Sequence, residues 1–589
     1  MTDRQQGSAW ERLQHIYQAA AAAHDGQRCL VAPSPQAREQ IKEELAAARR
    51  SVGGQLALTL RSRRPQPPGF NDGLIYPGDM FPPGTPARQV RSAAADRAPL
   101  SGTLRVIVVL VEFEDQALTN KNKHFENLFF STGVLSSGSV REYFLEATNG
   151  MVNIMGEVVG PYTLPRTIKE YANSASGTGR LQPNARTMAR DAAIAADPQV
   201  DFNPYDNDGD GFVDAFVVVH AGPGAEATLD VDQIWSHKWV LPGGPYDADG
   251  TKIYAYLTVP EDARIGVCCH ELGHLLFGFP DLYDVDDSSE GVGNWCLMGS
   301  GSWNGNGDTP AHPSAWCKAN QGWVTVHNHA QNATVSIADV KTSHTVHRLW
   351  KNGASSTEYF LLENRQRTGY DRKLPGDGLL IWHIDESIET NSDETHPKVR
   401  LVQADNEEEL EHGDNRGDGG DPYPGESNNT TFSIGSSPHS KAYNGADSGV
   451  SITNISPSGP VMTAQLAVVP KTPAQPKTTL KEMFDNSGKN ILKEIFKEKE
   501  KEVAEGVNRG LPAPTLDSGV MPRMAQLEAR MAALEARLNA IAPFIDAALR
   551  PDLTRGALDA EDDLAPLQKR TQSHAADAKR QFDTKLPDA

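Results

Sequence analysis

The stretch Arg105-Val-Ile-Val-Val-Leu-Val-Glu-Phe113 constrains this chain more than any other. Its apolar residues run on without alternation, so a strand built from it has no face to give to water. It reads as a central strand covered on both sides. Runs of this kind, Val106–Val111 and Phe216–Val219 among them, are far shorter than the roughly 20 residues that span a bilayer. No transmembrane helix is expected, and a globular domain starts near residue 101.

The pattern downstream fits a layered domain. The spacing predicts a helix over Ser139–Ala147, a strand over Val152–Val159, a helix over Asn184–Ala196 and a second buried strand over Phe212–His220. Strands mixed with helices imply an α/β or α+β layer. From about residue 330 short alternating strands follow, at Thr334–Ile337, Glu358–Glu363, Leu379–Ile384 and Val461–Leu466, which read as a β-rich, sandwich-like domain.

The expected division is a preceding segment over 1–100, domains over 101–330 and 331–468, a linker over 469–480 and a helical region over 481–589. The preceding segment holds helices over Ser8–Ala23 and Gln36–Arg50 and a Pro/Gly-rich stretch over Pro65–Pro86. In the last region Met524, Leu527, Met531, Leu534, Leu538 and Ile541 keep the rhythm of a short coiled coil, suited to a hairpin or to self-association.

The charge balance narrows the partners. With 77 acidic against 56 basic residues the formal charge is -21, which opposes binding to a phosphate backbone. Nucleic acid is not an expected partner. Five cysteines without zinc-finger spacing make no disulfide framework. The N-terminus lacks the basic, apolar, small-residue order of a secretory signal.

The chemistry lies in His270-Glu271-Leu272-Gly273-His274. On a helix, positions i and i+4 share a face, so both imidazoles can address one ion while Glu271 reaches a water on it. Zinc takes such neutral nitrogen donors, keeps one position open for water and acidifies it, and a nearby carboxylate accepts the proton. Gly278 can end the helix and Pro280 can turn the chain back, returning Asp281 to the metal. Further on, Trp295-Cys-Leu-Met298-Gly-Ser-Gly-Ser-Trp303 is a tight turn carrying a methionine, a device found beneath the metal of metzincin-like peptidases.

Over roughly residues 100–465 the chain resembles the immune inhibitor A type of bacterial metallopeptidase. Besides the segments above, the likeness rests on Asp206-Asn-Asp-Gly-Asp-Gly-Phe-Val-Asp214, Ile234-Trp-Ser-His237, His312-Pro-Ser-Ala-Trp316, Tyr359–Arg365, Leu374–His383 and Gly417-Asp-Gly-Gly-Asp-Pro422. The resemblance implies an α+β zincin-type catalytic domain with its active-site helix, breakdown of proteins, zinc, structural calcium and a latent precursor. The family leans extracellular, so localisation stays open. One departure is Phe277, which sets Asp281 seven residues after His274 where the family often has six. A helix ending at Leu276 would absorb the extra residue; Asp284, Asp286 or Glu363 are the other candidates for third ligand.

Other groups carry less. Asp206, Asp208, Asp210 and Asp214 reproduce positions 1, 3, 5 and 9 of a calcium loop, although Val217 stands where a closing glutamate is usual. Asp414, Asp418 and Asp421, set among glycines, form a second acidic loop that serves an ion or is simply solvated. Tyr283 and His312 are both candidates to stabilise an oxyanion. His220 and His237 read as hydrogen-bonded core residues, and Cys268 and Cys269 as packing residues. Cys29 either packs or caps the zinc of a latent enzyme.

The expectation is a zinc endopeptidase acting on proteins or peptides. His270, His274 and Asp281 would be its ligands, Glu271 its base and Met298 the support. Against it stand a non-catalytic, calcium-stabilised binding or adhesion protein and a zinc hydrolase of non-peptide esters or amides.

Overall fold

The computed structural model describes residues 31–52, 70–285 and 288–468. The expected helix over Ser8–Ala23, Cys29, Asp286, the linker and the helical region with its heptads lie outside these residues. Helix α1 (Pro35–Val52) falls where the second upstream helix was expected.

The first sheet is built around the apolar run. Strands β1 (Gly102–Glu112), β2 (Val152–Thr163) and β3 (Phe216–His220) are joined by β4 (His237–Val240) and, after a small hairpin of β5 (Tyr246–Ala248) and β6 (Thr251–Ile253), by β7 (Ala255–Pro260). Their order is β2-β1-β3-β7-β4. All pairs are parallel except β4 with β7, so β4 is an antiparallel edge. Val106–Val111 have no exposed surface, as an uninterrupted apolar run requires.

Helices α2 (Asn122–Phe130), α3 (Val140–Ala147) and α4 (Ala185–Ala196) share the core of this sheet through residues such as Phe129, Phe144 and Met188. Ser139 and Asn184 cap α3 and α4 by accepting from backbone N–H groups of the first turn. One expectation needs correcting: β3 starts at Phe216, not at Phe212. The backbone of 211–213 is committed elsewhere, with Lys252 N donating to Gly211 O and Val213 N donating to Lys252 O.

The remaining strands are β8 (Thr325–His329), β9 (Ala333–Ala338), β10 (Thr345–Trp350), β11 (Glu358–Arg365), β12 (Gly378–Asp385), β13 (Val399–Leu401), β14 (Val450–Thr453) and β15 (Val461–Val468). They form a sheet ordered β13-β12-β11-β10-β8 and a second ordered β14-β15-β9. Because β8 pairs with β10, the β-rich part begins ahead of residue 330.

Strands β11 and β12 are buried throughout. The period of two divides their side chains. Phe360, Leu362, Leu379 and Ile381 share a core with Ile337, Ile452 and Met462 of the smaller sheet. Tyr359, Leu361, Leu380 and Trp382 belong to the core of the first sheet. The architecture is thus mixed α and β. Among the described residues no helix is long and apolar enough to cross a membrane.

Candidate metal centre

Helix α5 (Ile265–Phe277) carries the His-Glu-x-x-His segment, and every residue in it is buried. Two glycines let it sit so deep. A Cβ on Gly266 would lie 1.8 Å from the carbonyl oxygen of Ser302, and one on Gly273 would lie 2.8 Å from Sδ of Met298. Seven residues apart, they share one helix face, and the methionine turn lies against it.

The helix runs past the expected end at Leu276. Phe277 stays helical because its ring packs among those of Phe144, Phe279 and Trp323. Gly278 then takes the left-handed conformation that stops the helix (φ 63°). Pro280 follows, and Leu282 N donates to Met298 O, which fixes the returning strand beside the helix.

This return brings Asp281 Oδ1 to 3.1 Å from Nε2 of His270 and 3.1 Å from Nε2 of His274. The two Nε2 atoms are 3.0 Å apart. Both Nδ1 atoms face backbone carbonyls, that of His270 at 2.9 Å from Leu297 O and that of His274 at 2.5 Å from Phe279 O. A carbonyl only accepts, so each Nδ1 donates and each neutral ring turns a lone pair inward. Burial holds His274 below its ordinary pKa, which keeps it neutral.

Three electron-pair donors facing one another repel unless a cation lies among them. The edges of this triangle would let His270, His274 and Asp281 hold one ion at about 2.0–2.2 Å, the distance that zinc takes to nitrogen and carboxylate oxygen. Asp281 Oδ2 and both carboxylate oxygens of Glu271 are buried with no hydrogen-bond partner of good geometry. The residues present fit a divalent metal. Glu271 is pushed well above its usual pKa, by burial first and then by Asp281 and Glu226, against the opposing influence of Lys238.

Other expected residues are placed as follows. Tyr283 stands beside His270, its ring centroid 6.3 Å from the imidazole. His312 does not join the site: its Nε2 is paired with Glu146 Oε1 at 3.0 Å. Glu363 is paired with Lys318 and Arg365, and Asp284 accepts from Ser288 and Ser289, so neither converges on the histidines. His220 and His237 are buried and bonded to the carbonyls of Ala221 and Trp235. Cys268 and Cys269 are buried free thiols.

Sequence reasoning missed the carbonyls of Leu297 and Phe279 that orient the rings, because backbone groups leave no signature in residue type.

The carboxylates of Asp206, Asp208 and Asp210 converge, but Asp214 does not. Arg97 takes it, with Nη1 2.6 Å from Asp214 Oδ1, while Nη2 donates to Leu276 O at the end of α5. A second group unites Asp405, Glu409, Asp418 and Asp421; Asp414, expected there, is not part of it.

Residues 101–328 match the family described as immune inhibitor A peptidase M6, catalytic domain. Among curated proteins, the chain is 30% identical over 271 residues to the pre-pro-metalloprotease PrtV of Vibrio cholerae serotype O1, covering 37% of this chain and 29% of that protein. It is also 30% identical over 278 residues to immune inhibitor A of Bacillus thuringiensis subsp. alesti, covering 38% and 40%. The chain thus spans well under half the length of the relatives it matches. The likeness is thus to the catalytic domain of the immune inhibitor A peptidase M6 family, and it spans residues 101–328.

Proposed function

We propose that this protein is a zinc-dependent endopeptidase of zincin type, with His270, His274 and Asp281 as ligands and Glu271 as general base and acid. The observation that carries the reading is the inward-facing donor triangle beside a buried, unpartnered Glu271 carboxylate. Zinc bound there supplies Lewis acidity, polarising a peptide carbonyl and acidifying water.

The chain's own groups supply the rest. Glu271 accepts a proton from the attacking water and passes it to the leaving amine, and its burial strengthens it as a base. Leu297 O and Phe279 O hold the ligand rings, and Met298 fills the space under Gly273. Tyr283, beside His270, is the group best placed to donate to the oxyanion. Asp206, Asp208 and Asp210 take calcium in a structural role.

The segment before residue 101 acts as a latency element. Asn71 N donates to Lys238 O at 2.8 Å and Lys238 N donates to Asn71 Oδ1 at 2.6 Å, so the segment occupies the free edge of β4. An extended peptide substrate would use that same edge. Substrates are accordingly proteins or peptides. Self-association through 524–541 rests on the heptad spacing alone. The binding-protein alternative leaves the orphaned Glu271 without a purpose, since a structural metal site needs no acid there.

The test is casein hydrolysis by the purified chain and by Glu271→Ala, with zinc measured on both. The variant is expected to keep zinc and lose activity by about 10²–10⁴-fold. A zinc-loaded wild type that stays inert after trimming of residues 1–100 would sink the proposal.

A further inference from the structure

We propose that Asp405, Glu409, Asp418 and Asp421 form a second cation site, of calcium chemistry, that fastens the 405–421 loop to the segment carrying Met298. It does not depend on the peptidase reading.

A carboxylate oxygen from each of the four residues lies within 4.8 Å of the others. Like charges so close call for a counterion, and among the described residues no lysine or arginine pairs with any of them; Arg400 nearby in sequence is engaged with Glu408 and Glu411. Asp421 is 1% exposed. Its Oδ2 accepts from Trp295 Nε1 at 2.9 Å and from Asp418 N at 3.0 Å, which leaves Oδ1 buried with no partner. Glu409 Oε2 is likewise buried and unpartnered. An orphaned carboxylate oxygen beside three more carboxylates is the sign of a missing cation.

The loop backbone is shaped around the same point. A Cβ on Gly420 would fall 1.8 Å from Asp405 Oδ2 and 3.1 Å from Asp418 Oδ1, so the glycine lets the backbone run close against these carboxylates. Four hard oxygen donors, without histidine or cysteine, select calcium over zinc.

The ion would act at a distance on the metal centre. Asp421 holds the fully buried Trp295, and Arg416 O accepts from Asn294 N at 2.8 Å. Two residues after Trp295, Leu297 O orients His270. The site therefore braces the turn from which one ligand ring is aimed.

Trp295 makes the test direct, since an indole beside the site transfers energy to bound terbium. The zinc-loaded full chain is stripped of calcium with a selective chelator and titrated with terbium. Tryptophan-sensitised emission should appear and be displaced by calcium. It should persist in Asp208→Asn/Asp210→Asn and weaken by at least about tenfold in apparent affinity in Asp405→Asn/Asp418→Asn. Calcium should raise the melting temperature of the first variant but not of the second through this site. No emission in the wild type, or full emission in Asp405→Asn/Asp418→Asn, overturns the proposal. Should the latter variant not fold, the Asp208→Asn/Asp210→Asn protein decides alone: loss of its signal refutes the site, retention supports it.

Discussion

Replacing Gly266 by alanine sets two effects of opposite sign against each other in one residue. As a helical position, it should gain about 1 kcal/mol, because glycine is the poorer helix former. The structure predicts the opposite outcome. The added Cβ would lie 1.8 Å from the Ser302 carbonyl oxygen and 2.8 Å from its carbon, both backbone atoms that no rotamer change can move. Overpacking against an immovable group costs about 3 kcal/mol, the upper part of the usual range. The net is a loss of about 2 kcal/mol, or roughly 2–3 °C in melting temperature for a unit of about 400 residues. Calorimetry of wild type and Gly266→Ala, with zinc bound to both, reads this directly. A melting temperature that rises would mean that α5 does not lie against the Ser300–Trp303 turn, and the account of the metal centre would fail with it.

Met298→Leu keeps the volume beneath Gly273 and should cost under about 1.5 kcal/mol, whereas Met298→Ala should cost about 2–5 kcal/mol in urea unfolding; equal losses would refute the packing role. Arg97→Ala strands Asp214, already raised to about 6 by burial even with Arg97 beside it. The loss should be about 3 kcal/mol at pH 7.5 and clearly smaller at pH 5, where Asp214 can take up a proton, and a pH-independent loss would count against it. His220 is fully buried and lowered to about 4 by desolvation. The unfolded chain therefore binds a proton that the folded one refuses, and stability falls as pH drops from about 6.5 toward 4, by about 3 kcal/mol for this residue. His220→Asn, which can keep a donor to Ala221 O, should flatten that part of the profile; an unchanged slope would contradict it.

What the sequence made legible follows the range of the forces involved. His270, Glu271 and His274 could be set on one helix face because helical period is local. The strand at 105–113 was legible because burial on both faces leaves a compositional mark. Asp281 was only one of four candidates, since its position depends on Pro280, the aromatic grip on Phe277 and the bond from Leu282 to Met298, none of which spacing reveals. Asp214 was misread because its partner, Arg97, lies over a hundred residues upstream. For the same reason spacing could not choose between Tyr283 and His312 as oxyanion candidates, the partner of His312 being Glu146. Asp405 and Glu409 were missed because they reach Asp418 and Asp421 across a fold of the loop and follow no periodic pattern.

The strand pair β11–β12 has a practical consequence for anyone dissecting this protein. Its two faces are walls of two different rooms, so neither can be removed without opening the other. Expressed alone, residues 101–328 would present to water the surface that Tyr359, Leu361, Leu380 and Trp382 now cover, and should collect in inclusion bodies. Because residues 101–328 share their core with β11 and β12, the smallest soluble form should extend through Val468.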